Sequence, residues 1–181
     1  MKKALLLFAL AAMAFSCQTE PVFDEDITAD RITDVPGEVG GGNEGDEELY
    51  SDDLMAGQNI DSGNITATIV DGVVVIGYET EGDWVITETH LYVGPLEDLP
   101  TNGAGNAQIG QFPISDNFNP SVTEVEYTTI ELEEGECVYV AAHAVVVNTV
   151  TGQEETAWGN GVQINNGGSW AMMFEICAPT E

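Results

Sequence analysis

The stretch CVYVAAHAVVV, residues 137–147, is apolar at both sets of alternating positions of an extended chain. Val138, Val140, Ala142, Ala144 and Val146 fall on one face. Cys137, Tyr139, Ala141, His143, Val145 and Val147 fall on the other. A strand of this kind belongs in the middle of a sheet that is covered on both sides, here with a long loop over one of them. The neighbouring segments repeat the two-residue period. NITATIV (64–70) and VVVIGYE (73–79) flank Asp71-Gly72, a strong hairpin signal because a tight turn needs positive φ. A strand follows from about Trp84 to Val93, stopped by Gly94-Pro95. Residues 94–120 read as a loop with a short strand around QIGQFPI, and SVTEVEYTTIEL (121–132) alternates again. Thr151-Gly152 joins two extended pieces, and NNGGS leads into the last strand, WAMMFEIC. No stretch after residue 16 keeps a helical apolar period over ten residues. The expected fold is therefore all-β: an antiparallel β-sandwich, or alternatively a small β-barrel, over residues 63–181. About 120 residues are enough to bury a core.

The segment before this domain reads differently. Residues 1–16 combine a basic start, MKK, with the apolar run ALLLFALAAMAF, too short for a stable membrane span. Ser16-Cys17 ends this export signal in the manner of a lipobox, and the likeness implies cleavage before Cys17 and lipidation of its thiol. An ordinary secretory signal cleaved nearby is the alternative. Residues 17–62, with PGEVGGGNEGDEE, read as an acidic, glycine-rich tether. Its root-mean-square reach would be about 35 Å. Within it, ELYSDDLMAG (48–57) reads as one helical turn or more tether.

The chain has 32 acidic and three basic residues and a formal charge of −29. Cleavage would remove Lys2 and Lys3 and leave Arg31 as the only cation. Such a chain repels nucleic acid and lacks the side chains that grip phosphates, which argues against nucleotide and phosphoryl-transfer chemistry. Solubility in salty surroundings is one use of the acid; Ca²⁺ binding is another. SDNFN offers Asp116, Asn117 and Asn119 as candidate calcium ligands, although no twelve-residue calcium loop is present.

With Cys17 taken by lipid, Cys137 and Cys177 remain, and the redox conditions outside the inner membrane would let them pair. If the last strand lies antiparallel to 137–147 with the two cysteines bonded, His143 faces Ala171. His90 shares a strand face with Trp84, Ile86, Glu88 and Tyr92 if the alternation is unbroken. Three readings of the histidines stand side by side. They are neutral imidazoles hydrogen-bonded within a covered sheet. Or they form a Zn²⁺ site, His90 and His143 with Glu88 or Glu155. Or they line a pocket where histidine and Trp158 meet a sugar or another neutral solute. QEETAWGNG (153–161) is the candidate recognition surface, since an indole beside amides and carboxylates can stack on a sugar ring.

Five stretches in order, THLYVG, GQFP, AAHAVV, ETAWG and WAMMF, resemble a secreted or cell-surface β-domain found across bacteria and archaea. The likeness covers about 84–175 and implies an extracellular β-sandwich, with His90, His143, Glu155 and Trp158 as its position-matched features. The export signal and acidic tether together, with Glu20 and DED (24–26) behind Cys17, are similar to surface lipoproteins of Bacteroidetes-type bacteria. That likeness implies an outer-membrane lipoprotein on the cell envelope, displayed at the surface and held to the membrane by its lipid. No G-x-S-x-G motif is present, and paired cysteines leave no thiol for catalysis. The first expectation is thus a non-enzymatic binding or structural module for a glycan, a divalent cation or another envelope protein. The alternative is a metal-dependent hydrolase using His90 and His143.

Overall fold

The computed structural model describes residues 46–180, and Cys17, the export signal and most of the tether lie outside them. Ten strands form one antiparallel sheet: β1 (Asp46–Ala56), β2 (Ile60–Val70), β3 (Val73–Thr80), β4 (Trp84–Gly94), β5 (Ile114–Val122), β6 (Glu124–Glu131), β7 (Cys137–Asn148), β8 (Glu154–Gly159), β9 (Val162–Gln163) and β10 (Met172–Cys177). Two short 3₁₀ turns, Leu96–Asp98 and Ile109–Gln111, interrupt the β4–β5 loop. The strand order is β5-β4-β7-β8-β1-β2-β3-β6, with β10 on β7 and β9 on β10. The sheet curls until its two ends nearly meet. Of the two arrangements the alternation allows, this is the barrel-like one.

β7 occupies the middle, as its two apolar faces require. β4 covers one of its edges along nearly the whole length. The other edge is shared: β10 pairs residues 137–140 and β8 pairs residues 143–147. Val138, Val140, Ala142, Ala144 and Val146 point into the barrel, where they meet Ile65, Ile76, Tyr78, Ile86, Leu91 and Phe174. Asp71 and Gly72 make the expected hairpin turn at φ +50° and +82°.

The ladder stops between β5 and β6, and side chains span the seam. The Tyr127 hydroxyl on β6 lies 2.5 Å from Thr89 Oγ1 on β4 and donates to Asp116 Oδ2 on β5 at 3.0 Å. Its ring stands edge-on to Tyr78, centroids 6.1 Å apart. Burial is the first cause that lifts the Tyr127 hydroxyl to a pKa of about 12, so it stays a donor.

Three expectations are corrected. The domain includes β1, from Asp46, and so does not begin at 63. ELYSDDLMA (48–56) is strand, with Leu54 and Ala56 fully buried and Asp52 and Asp53 half-buried. SDNFN lies within β5 and is not a loop. Asp116 faces Thr89 and Asn117 faces Glu88, so neighbouring side chains leave opposite sides of the sheet. Asp116 also accepts the Tyr127 bond. Asp116, Asn117 and Asn119 therefore do not converge on a Ca²⁺ ion. Finally, the alternation in β4 is broken by a bulge between Ile86 and Glu88. The extra residue, Thr87, turns the following side chains over. Trp84 and Ile86 face the core, whereas Glu88, His90 and Tyr92 face outward.

Candidate functional site

The outward face of β4, β7 and β8 carries a row of rings. His90, His143 and Trp158 are direct cross-strand partners, in register across the three strands. The His90 and His143 centroids are 5.6 Å apart, and those of His143 and Trp158 are 4.9 Å apart at 61°. His143 faces Trp158 rather than the expected Ala171, because β10 begins only at Met172 and β8 takes over that edge of β7. The cysteine register itself is as expected: Cys137 lies opposite Cys177 and the two are bonded, with Cα atoms 4.0 Å apart.

Loops roof this row. Tyr92, Leu99, Phe112, Ala141, Trp158, Ala171 and Met173 form a second apolar cluster, apart from the barrel core. Phe112 stands edge-on to Trp158 with centroids 6.3 Å apart, and the Tyr92 hydroxyl bonds the Pro95 carbonyl. The two loops are tied to each other. Asn165 Nδ2 donates to the Ala104 carbonyl at 2.7 Å and to Asn106 Oδ1 at 3.1 Å, and Asn106 Oδ1 also accepts from the Ser169 backbone at 3.0 Å. Gly168 is necessary to this closure, since a Cβ there would lie 2.1 Å from Asn106 Oδ1.

Beneath the roof is a cavity of about 250 Å³ walled by His143, Trp158 and Trp170, with Asn106, Thr156 and Ser169 supplying amide and hydroxyl groups. Its remaining lining, Ala107, Ile109 and Ala171, is apolar. The chain has 32 acidic residues, and among the described residues no acid lines it.

The histidines differ. His90 Nε2 lies 2.6 Å from Glu88 Oε1. His143 is 3% exposed. Among the described residues neither of its ring nitrogens has a hydrogen-bond partner, and neither has His90 Nδ1. Burial first, and the neighbouring His90 second, push the His143 pKa down to about 3. His143 is therefore neutral near pH 7, and a neutral imidazole carries one donor and one acceptor.

The remaining candidates separate. Glu155 faces Val146, on the barrel side of the sheet, where Gln153 Nε2 donates to it at 2.9 Å. It is therefore on the opposite side from His143 and Trp158. Glu88 is beside His90 but already engaged by it. Among the described residues no group of three or more His, Cys, Asp or Glu side chains is placed to hold a metal ion. The Zn²⁺ reading thus keeps two imidazoles and one carboxylate without the convergence that site needs. Asn106, Ser169 and Trp170 were not singled out from the sequence. They come from two loops far apart in the chain, and no local pattern joins them.

Comparison with known protein families, curated proteins and solved structures finds no match to this chain.

Proposed function

We propose that this chain is a lipid-anchored cell-envelope protein whose β-domain binds a small neutral hydroxylated solute, a glycan unit, without catalysis. One observation carries the reading: an uncharged cavity, walled by two indoles, within an otherwise intensely acidic chain. Indole faces stack on the C–H face of a sugar ring. The hydroxyls of Thr156 and Ser169 each both donate and accept, and the Asn106 amide, its oxygen engaged by Asn165 and Ser169, has its nitrogen left to donate. Sugar hydroxyls have the same dual character. Among the described residues a cation would find no carboxylate in the lining, and an anion no positive charge.

The test is a titration of tryptophan fluorescence with glucose, galactose, mannose and N-acetylglucosamine and their oligomers. At least one is expected to change the emission saturably, and Trp170→Ala to weaken that response at least tenfold. If the panel has no effect up to tens of millimolar, the glycan reading fails.

Anchoring rests on Ser16-Cys17 and the apolar run before it. Cys17→Ser is expected to move the protein from the membrane to the soluble fraction. Retention in the membrane would contradict the lipid anchor.

A further inference from the structure

A second cavity, of about 200 Å³, shares Trp170 with the first. Its other walls are the amides of Gln58, Asn160 and Gln163 and the thioethers of Met55 and Met172. Among the described residues no charged side chain lines it, although Asp52 and Asp53 on β1 both bond Asn160 in its wall.

Its frame is built, not incidental. Asn160 is fixed on every side: its backbone nitrogen donates to the Asp53 carbonyl at 2.9 Å, its carbonyl accepts from the Tyr50 hydroxyl at 2.7 Å, and its Nδ2 donates to Asp52 Oδ1 at 3.1 Å. Thus the nearest carboxylate is turned to holding the amide. Gly161, at φ +153°, passes so close to β10 that a Cβ would lie 2.3 Å from the Met173 carbonyl. This packing sets β9, with Gln163, against Met172.

Each cavity is smaller than the roughly 300–1,000 Å³ of a site for a drug-sized molecule. Each therefore suits one small ring, and both touch the same indole. Resting on the glycan reading of the first cavity, we infer that the two are adjacent subsites for consecutive units of one neutral oligosaccharide, with Trp170 between them. The amide-rich cavity would recognise hydroxyl or acetamido groups of the second unit, because an amide presents a donor and an acceptor at once.

Linking two units turns the second contact into an intramolecular one, which raises affinity without any change in the first. The experiment is isothermal titration of the full chain with each monosaccharide of the panel and with its β-1,4 and α-1,4 dimers and trimers. The second protein is the Gln58→Ala/Gln163→Ala variant, whose altered residues are both exposed. One dimer series is expected to bind at least tenfold tighter than its monosaccharide. The variant is expected to lose that gain while keeping the monosaccharide affinity within twofold. If a monosaccharide binds but no dimer gains, or if the gain survives in the variant, the second subsite is wrong and the first cavity stands. If no sugar of any length binds, both readings fall together.

Discussion

A chain that begins at residue 58, after β1, is expected to have no cooperative unfolding transition, whereas one that begins at residue 40 is expected to melt like the full chain. β1 lies between β8 and β2, pairing with β2 along its length and with β8 through Leu54, Met55 and Ala56. Removing it cuts the only ladder between the two halves of the sheet in the described residues. It exposes the long edge of β2 and the short one of β8, and removes Leu54 and Ala56, both fully buried, from the core. The Ser62 hydroxyl, itself buried, loses its acceptor at the Leu54 carbonyl, 2.6 Å away. A graded form of the test is Leu54→Ala, which should cost about 2–5 kcal/mol for a fully buried leucine. Urea unfolding followed by tryptophan emission reads both. A stable, cooperative protein without β1 would return the domain boundary to the one read from sequence.

The second large effect concerns the cross-link. Replacing Cys137 and Cys177 together by alanine is expected to destabilise the domain by about 3–4 kcal/mol, the chain-entropy value for a loop of some 40 residues. The bond fastens β10 to β7 at the end opposite β8, and β10 in turn carries β9 and the floor of the second cavity. The loss should therefore appear both in the denaturation midpoint and as weaker protection of the Met172–Cys177 amides from hydrogen exchange. A change below about 1 kcal/mol would mean that β10 is held by packing alone, through Phe174 and Ile176.

How far these features were legible in the sequence depended on their range. The two apolar faces of 137–147 announced a central, doubly covered strand, and Asp71-Gly72 announced its hairpin, because both signals are local. The cysteine register was legible because a bond between two residues fixes the facing pairs around it. β1 was hidden by its composition: its acids are interleaved with the few side chains it buries, so it reads as more tether. The β4 bulge was invisible as well, since one extra residue leaves no mark in the sequence, yet it decides that His90 shares a face with Tyr92 and not with Ile86. His143 and Trp158 could be suspected singly. Their pairing required knowing that β8 and not β10 lies alongside that half of β7. The neutral lining follows from two loop closures that join residues some sixty positions apart, Asn106 with Asn165 and Ser169, and no periodicity encodes those.

The central claim is that His143 is a buried, neutral ring at the wall of a cavity made for an uncharged polar ligand. Its ring nitrogens can be observed directly in a long-range ¹H–¹⁵N correlation spectrum of histidine-labelled protein at pH 5, with and without the best-binding sugar. The expected result is a neutral tautomer in the free protein, well below the protonation midpoint of an ordinary histidine, with both nitrogen frequencies moving on saturation as the sugar enters. A protonated ring at pH 5, or frequencies that stay fixed while sugar binds elsewhere, would contradict it.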